Sequence, residues 1–232
     1  MQIENNVIVG FDKTDKHLFI PKTIVGADYE IVDLHLVGVI ESIEVEEGNK
    51  HFYTQDGCLI WRDRKAILLA GEGAKIPLAE SVEEIANGAF MYHYLKEVVI
   101  PSNIKRIGYN AFACTPLKKV WLNNGLESLD LYAFGCNEDL KTLTIPKSVK
   151  KLIINEILEE APKIANCGYR DRLYRVYKDS YAHRYMENRQ LKFEVVEEGF
   201  LKNPNPPIVQ SVIKPSQNST AHIFALEHGI PF

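Results

Sequence analysis

The sequence has no long apolar run and no excess of one charge. Nothing in it approaches the roughly 18 consecutive apolar residues that a membrane-spanning helix needs, so no membrane insertion is expected. Its 27 Lys and Arg nearly balance its 31 Asp and Glu, for a net charge of −4. That balance gives the whole chain no pull toward nucleic acid or an anionic surface. The start, Met1-Gln2-Ile3-Glu4-Asn5-Asn6, lacks the basic and apolar regions of a signal peptide. As given, the chain reads as cytoplasmic, or as surface or secreted if a signal has been removed. Cysteines are sparse: Cys58, Cys114, Cys136 and Cys167, with no C-x-x-C pair. Cys114 and Cys136 each follow an Ala-Phe pair by the same short step, Phe112 to Cys114 and Phe134 to Cys136. They are expected as thiols stacked in the core, because parallel Cβ directions suit a disulfide poorly.

Motifs for catalysis are also missing. The histidines, His17, His35, His51, His93, His183, His222 and His228, fit no metal-ligand spacing. No G-x-S-x-G nucleophile elbow occurs. Gly71-Glu72-Gly73-Ala74-Lys75 lacks the spacing that wraps a phosphate and reads as an ordinary loop. No catalytic, cofactor-binding or metal-binding residue is expected, and no cofactor.

What the chain does have is a phrase repeated three times. Val82 to Phe90, Ile104 to Phe112 and Leu126 to Phe134 are copies, each ending in Ala-Phe. The step from Val82 to Ile104 equals the step from Ile104 to Leu126, so the period is fixed. A period in the twenties marks a solenoid, in which each coil can bury its apolar face only against its neighbours. After each copy runs a second strand-like phrase: Leu95-Val98-Ile100, Leu117-Val120-Leu122 and Leu140-Leu143-Ile145. Strand alternation turns Val98 and Ile100 inward and Val99 outward. Ala leaves room where a short helical turn approaches, and Phe90, Phe112 and Phe134 are expected as a column of rings about 5 Å apart.

The flanks are less regular. Val7 to Phe11 and His17 to Ile20 read as strands around a turn at 12–16. Ile20-Pro21 returns at Ile76-Pro77, Ile100-Pro101 and Ile145-Pro146. Asp56-Gly57 marks a β-hairpin, expected to replace the helical half of one repeat. After Leu152 the period fails. A short helix over 155–165 and a strand at Leu173 to Tyr177 are expected. Ser180 then caps a helix running to about Asn188, followed by a strand ending at Val196. Asn203-Pro204-Asn205-Pro206-Pro207 reads as a linker. Ser219 to Phe224 echoes Ser180 to Tyr185, so the tail resembles a second capping unit. It is expected to fold back on its own solenoid, with docking on a neighbouring molecule as the self-association alternative and disorder as the third.

The stretch Ile100-Pro101-Ser102-Asn103-Ile104-Lys105-Arg106-Ile107-Gly108-Tyr109-Asn110-Ala111-Phe112-Ala113-Cys114 resembles the leucine-rich repeats of the BspA type. Ile43 to Pro77 is similar to an irregular unit of that family, and Ser180 to Phe193 to its usual terminal unit. The resemblance implies a curved solenoid, and a family whose members are often bacterial surface proteins that bind host proteins. The expected fold is thus an α/β solenoid: a right-handed leucine-rich-repeat coil of short parallel strands and short helical turns. It carries one β-hairpin insertion and a C-terminal α/β cap. The expected divisions are an N-terminal irregular repeat or cap over 1–36 and the repeat array over 37–153, with its hairpin unit at 48–70. A C-terminal cap follows over 154–198, then a linker over 199–218 and a second cap-like unit over 219–232.

The outward column of the second strands should carry Glu97, Val99, Lys119, Trp121, Thr142 and Thr144. Trp is enriched where binding energy concentrates, so this strip is the candidate partner-binding surface. The expected function is a non-catalytic protein-binding scaffold, with a carbohydrate- or cell-wall-binding module as the alternative.

Overall fold

The computed structural model describes residues 1–10, 16–28, 40–154 and 169–197. β1 (Gln2–Glu4) and β2 (Val7–Gly10) form a hairpin through Asn5-Asn6, whose φ angles are 49° and 63°. Asparagine tolerates this left-handed turn because its side chain can bond locally. β3 (His17–Ile20) pairs in parallel with β5 (Ser42–Val45), and β4 (Gly26–Ala27) pairs in parallel with β2. β6 (Phe52–Gln55), β7 (Cys58–Trp61) and β8 (Ala66–Ala70) form an antiparallel meander.

The coils that follow supply β9 (Glu84–Ile85), β10 (Glu97–Val99), β11 (Arg106–Ile107), β12 (Lys119–Trp121), β13 (Ser128–Asp130), β14 (Thr142–Thr144) and β15 (Lys151–Ile153). Then come β16 (Leu173–Tyr177), helix α1 (Tyr181–Asn188) and β17 (Phe193–Val196). First strands build one wall, a seven-stranded sheet ordered β15-β13-β11-β9-β8-β7-β6. Second strands build the other, as the parallel ladders β10-β12 and β14-β16-β17.

The hairpin differs from expectation. Its strands join the first-strand wall, with β8 parallel to β9, and do not replace a helical half. The reason lies in β8, Ala-Ile-Leu-Leu-Ala, which is buried along its whole length. A strand this apolar needs cover on both faces. Ile67 and Ala70 join the core of the repeat array, while Leu68 and Leu69 join a second core with Ile8, Leu18, Ile20 and Phe52. A bulge opposite Leu59 and Ile60 sets this division, because an extra residue lets two successive side chains face the same way.

The turns carrying Ala-Phe are also not the expected helical elements. Among the described residues the only α-helix is α1, and the third copy closes as a single 3-10 turn over Leu131–Phe134. Alternate amides there point to the next coil: Gly88 N donates to Tyr109 O at 2.8 Å, Phe90 N to Ala111 O at 2.8 Å and Tyr92 N to Ala113 O at 3.1 Å. Amides committed across coils cannot close a helix, so the turns form a third ladder along the solenoid. Close stacking there also requires Gly108, since a Cβ on it would lie 2.8 Å from the Asn87 amide nitrogen.

Inside, Phe90 and Phe112 stack at 5.2 Å and Phe112 and Phe134 at 5.5 Å, all three buried. Two further columns hold the coils together. Asn49, Asn103 and Asn123 each reach back one coil: Asn123 Nδ2 donates to Pro101 O at 2.7 Å and Ile104 O at 2.9 Å, and Asn103 Nδ2 to Val82 O at 2.6 Å. Ser148 takes the same role, its hydroxyl donating to Leu126 O at 2.7 Å. The second column is buried and polar: His93, Thr115, Asn137 and then Arg172. Asn137 Nδ2 donates to Phe112 O at 2.8 Å and Arg172 Nη2 to Phe134 O at 2.9 Å. The Arg172 guanidinium thus gives Phe134 O the bond that Asn137 gives Phe112 O, although burial lowers its pKa.

Outside, charges alternate in sign along the axis. Lys65, Glu83, Lys105, Glu127 and Lys150 follow one another, each backbone bonded to the next. Glu83 pairs with Lys65 at 2.8 Å and Lys105 at 3.0 Å, and Glu127 with Lys150 at 3.7 Å. Behind β16, the Ser180 hydroxyl accepts from His183 N at 3.1 Å at the start of α1, and Ala182 and Met186 face the core. The expected turn at 12–16 (apart from Lys16), the helix over 155–165, the linker at 199–218 and the unit at 219–232 lie outside the described residues, as do Cys167 and His222.

Candidate binding surface

β10 and β12 pair in register, which sets Glu97 beside Lys119 and Val99 beside Trp121. Alternation in these strands follows from what each side chain meets: Val98 is buried in the core, Glu97 and Lys119 are exposed, and Val99 and Trp121 are half-buried. Trp121 is therefore less open than an outward strand position suggests. Thr142 and Thr144 sit on β14, in a separate ladder, opposite Leu173 and Arg175 of β16. The wall changes ladder where a coil is one residue longer, since the step from Leu117 to Leu140 exceeds the step from Leu95 to Leu117 by one. The structure thus joins four of the six candidate residues in one ladder and the two threonines in the next.

The second ladder adds Leu173, Arg175 and Glu194 to the outward face. The strand Leu173 to Tyr177 was legible, and applying the same alternation to it would have included Leu173 and Arg175. Charges on the face cancel in pairs. Lys119 Nζ lies 3.2 Å from Glu97, and Arg175 Nε donates to Glu194. Such exposed pairs contribute little stability. Between them lie Val99, Trp121, Thr142 and Thr144, a strip with one large aromatic.

Among the described residues, no three or more His, Cys, Asp and Glu side chains gather as for a metal ion. No described helix is long and apolar enough to cross a membrane. Cys58, Cys114 and Cys136 are thiols, but Cys114 and Cys136 are half-buried and not enclosed in the core as expected. Their position follows Phe112-Ala113 and Phe134-Gly135, where the chain turns away from the core.

A family model described as a BspA type leucine rich repeat region matches residues 72–184 in 6 copies. Among solved structures, the pneumococcal vaccine antigen PcpA is similar at 20% identity and a TM-score of 0.54, over 78% of this chain and 56% of that one. A leucine rich cell surface protein from Faecalibacterium prausnitzii is similar at 16% identity and a TM-score of 0.55, over 79% of this chain and 48% of that one. The chain thus spans about half the length of these two proteins, and the likeness is one of fold. No curated protein matches it. With two ladders of short parallel strands, a stacked phenylalanine column and six matched repeats, residues 72–184 belong to the BspA-type leucine-rich repeat family.

Proposed function

We propose that the protein is a non-catalytic scaffold that binds a protein partner through the second-strand wall, at Glu97, Val99, Lys119, Trp121, Thr142 and Thr144. The observation that carries this reading is the composition of the strip: one half-buried indole, a valine and two threonines, between ion pairs that neutralise one another. A flat, self-neutralised strip around one aromatic suits a broad protein contact. The aromatic supplies the anchor and the rim excludes water. A sugar site would instead need two or more aromatics in a row at ring spacing, and this strip carries a single one.

The test is affinity capture from the native organism with the full chain and with Trp121→Ala. A partner that binds the wild type is expected to lose at least tenfold in affinity, since truncating an anchor of this kind costs about 2 kcal/mol or more. The melting temperature should not change. Equal capture by both proteins overturns the reading. Fractionation beforehand decides between the cytoplasm and a surface location like that of the Faecalibacterium prausnitzii protein.

A further inference from the structure

Cys114 and Cys136 occupy the same place in neighbouring coils. Both backbones are left-handed there, with φ of 54° and 53°. Cys114 N donates to Gly135 O at 3.0 Å, which fixes the two turns one coil apart. Two thiols therefore leave matching backbones in the same direction, both half-buried at the rim. Tyr92 holds the same place one coil earlier, with φ of 64°. Its hydroxyl hydrogen-bonds Cys114. The sulfurs of Cys114 and Cys136 both lie near its oxygen.

Stacked coils hold equivalent side chains about 4.8 Å apart and parallel. A disulfide wants Cβ atoms about 3.8 Å apart and a dihedral near 90°, which parallel directions do not supply. A two-coordinate cation wants the opposite arrangement. Two sulfurs on either side of one ion, each at a metal–sulfur distance of about 2.3 Å, are about 4.6 Å apart, close to the coil spacing. Thiolates select soft ions such as Cu(I).

We propose that Cys114 and Cys136 form a two-thiolate site for a soft monovalent cation of the Cu(I) class. Both thiols give up their protons to solvent as two metal–sulfur bonds form, and the bound unit carries one negative charge. The Tyr92 hydroxyl donates to the Cys114 sulfur and offsets that charge. Cys58 does not compete: it is fully buried, and burial above all, then Asp56, holds it in the thiol form. The proposal uses no part of the partner-binding reading.

The test is anaerobic titration of the reduced full chain with Cu(I) against a coloured chelator. One ion per chain is expected, with affinity falling at least tenfold in Cys114→Ser and in Cys136→Ser. Cys58→Ser and Cys167→Ser should retain wild-type affinity. Tyr92→Phe should keep the stoichiometry and weaken binding by about 10–100-fold, the usual effect of losing a group bonded to a ligand. If a serine variant fails to fold, X-ray absorption at copper in the wild type decides the matter: two sulfurs and no further ligand support the site. Three or more sulfurs, undiminished binding in the Cys114 and Cys136 variants, or loss of binding in Cys167→Ser overturns it.

Discussion

Asp130 is buried, and its Oδ1 accepts from Tyr132 N at 2.8 Å at the start of the 3-10 turn. Burial pushes its carboxyl up to about 6, against the smaller opposing effects of the Tyr132 amide and Arg106. A group whose folded pKa lies above its unfolded value favours the fold while protonated. That contribution is full below about pH 3.8 and is lost as pH rises through about 6. Asp130→Asn keeps the cap acceptor and removes the buried charge. It is expected to stabilise the protein by roughly 2–3 kcal/mol at neutral pH and hardly at all in acid, as thermal melts of both proteins at the two pH values would show. His93 works in the other direction. Its ring nitrogens lie 3.2 Å from Met91 O and 3.1 Å from Gly71 O, and burial lowers its pKa below 6.5. Its stability contribution is therefore full above pH 6.5 and declines as the pH falls below that. Comparing variant with wild type at each pH cancels the histidine. Neither group stands out in the sequence, where Asp130 and His93 look like ordinary loop polar residues; only the packing around them makes them special.

The phenylalanine column joins elements. Phe112 touches a ring on either side, so Phe112→Ala removes two stacking contacts and leaves a void between three coils. The expected loss is about 3–5 kcal/mol, visible as a melting temperature lower by roughly 10 °C; a melt like that of the wild type would show that the column is not what binds the coils. This column, the two walls and the inward positions were legible because each is a side-chain pattern that recurs once per coil at a fixed step. The asparagine column was not. Asn49, Asn103 and Asn123 follow Gly, Ser and Leu respectively, and their partners are backbone carbonyls of the previous coil, which no residue name marks. The turns differ from the expected helical ones for a related reason: whether an amide closes a helix or serves the next coil depends on its neighbour in space. In the candidate surface, alternation correctly grouped Glu97 with Lys119 and Val99 with Trp121. One extra residue in the following coil then moved the threonines to another ladder.

At the scale of the molecule, the meander ties two cores together. β8 serves two cores at once, so the repeat array does not end where its sequence signature ends. A fragment starting at residue 72, where the family match begins, would lack Cys58, Ile60, Ile67 and Ala70 from its own core. Exposed apolar strand edges associate. That fragment is expected to aggregate and to lose the cooperative melt of the full chain, and sedimentation of both would check it. The outer row from Lys65 to Lys150 has a further consequence. Because sign alternates from coil to coil, the array has parity. Skipping one coil would bring lysine against lysine or glutamate against glutamate, whereas skipping two would restore the alternation. A chain whose coils otherwise look interchangeable thus carries an electrostatic counter that separates odd slips from even ones.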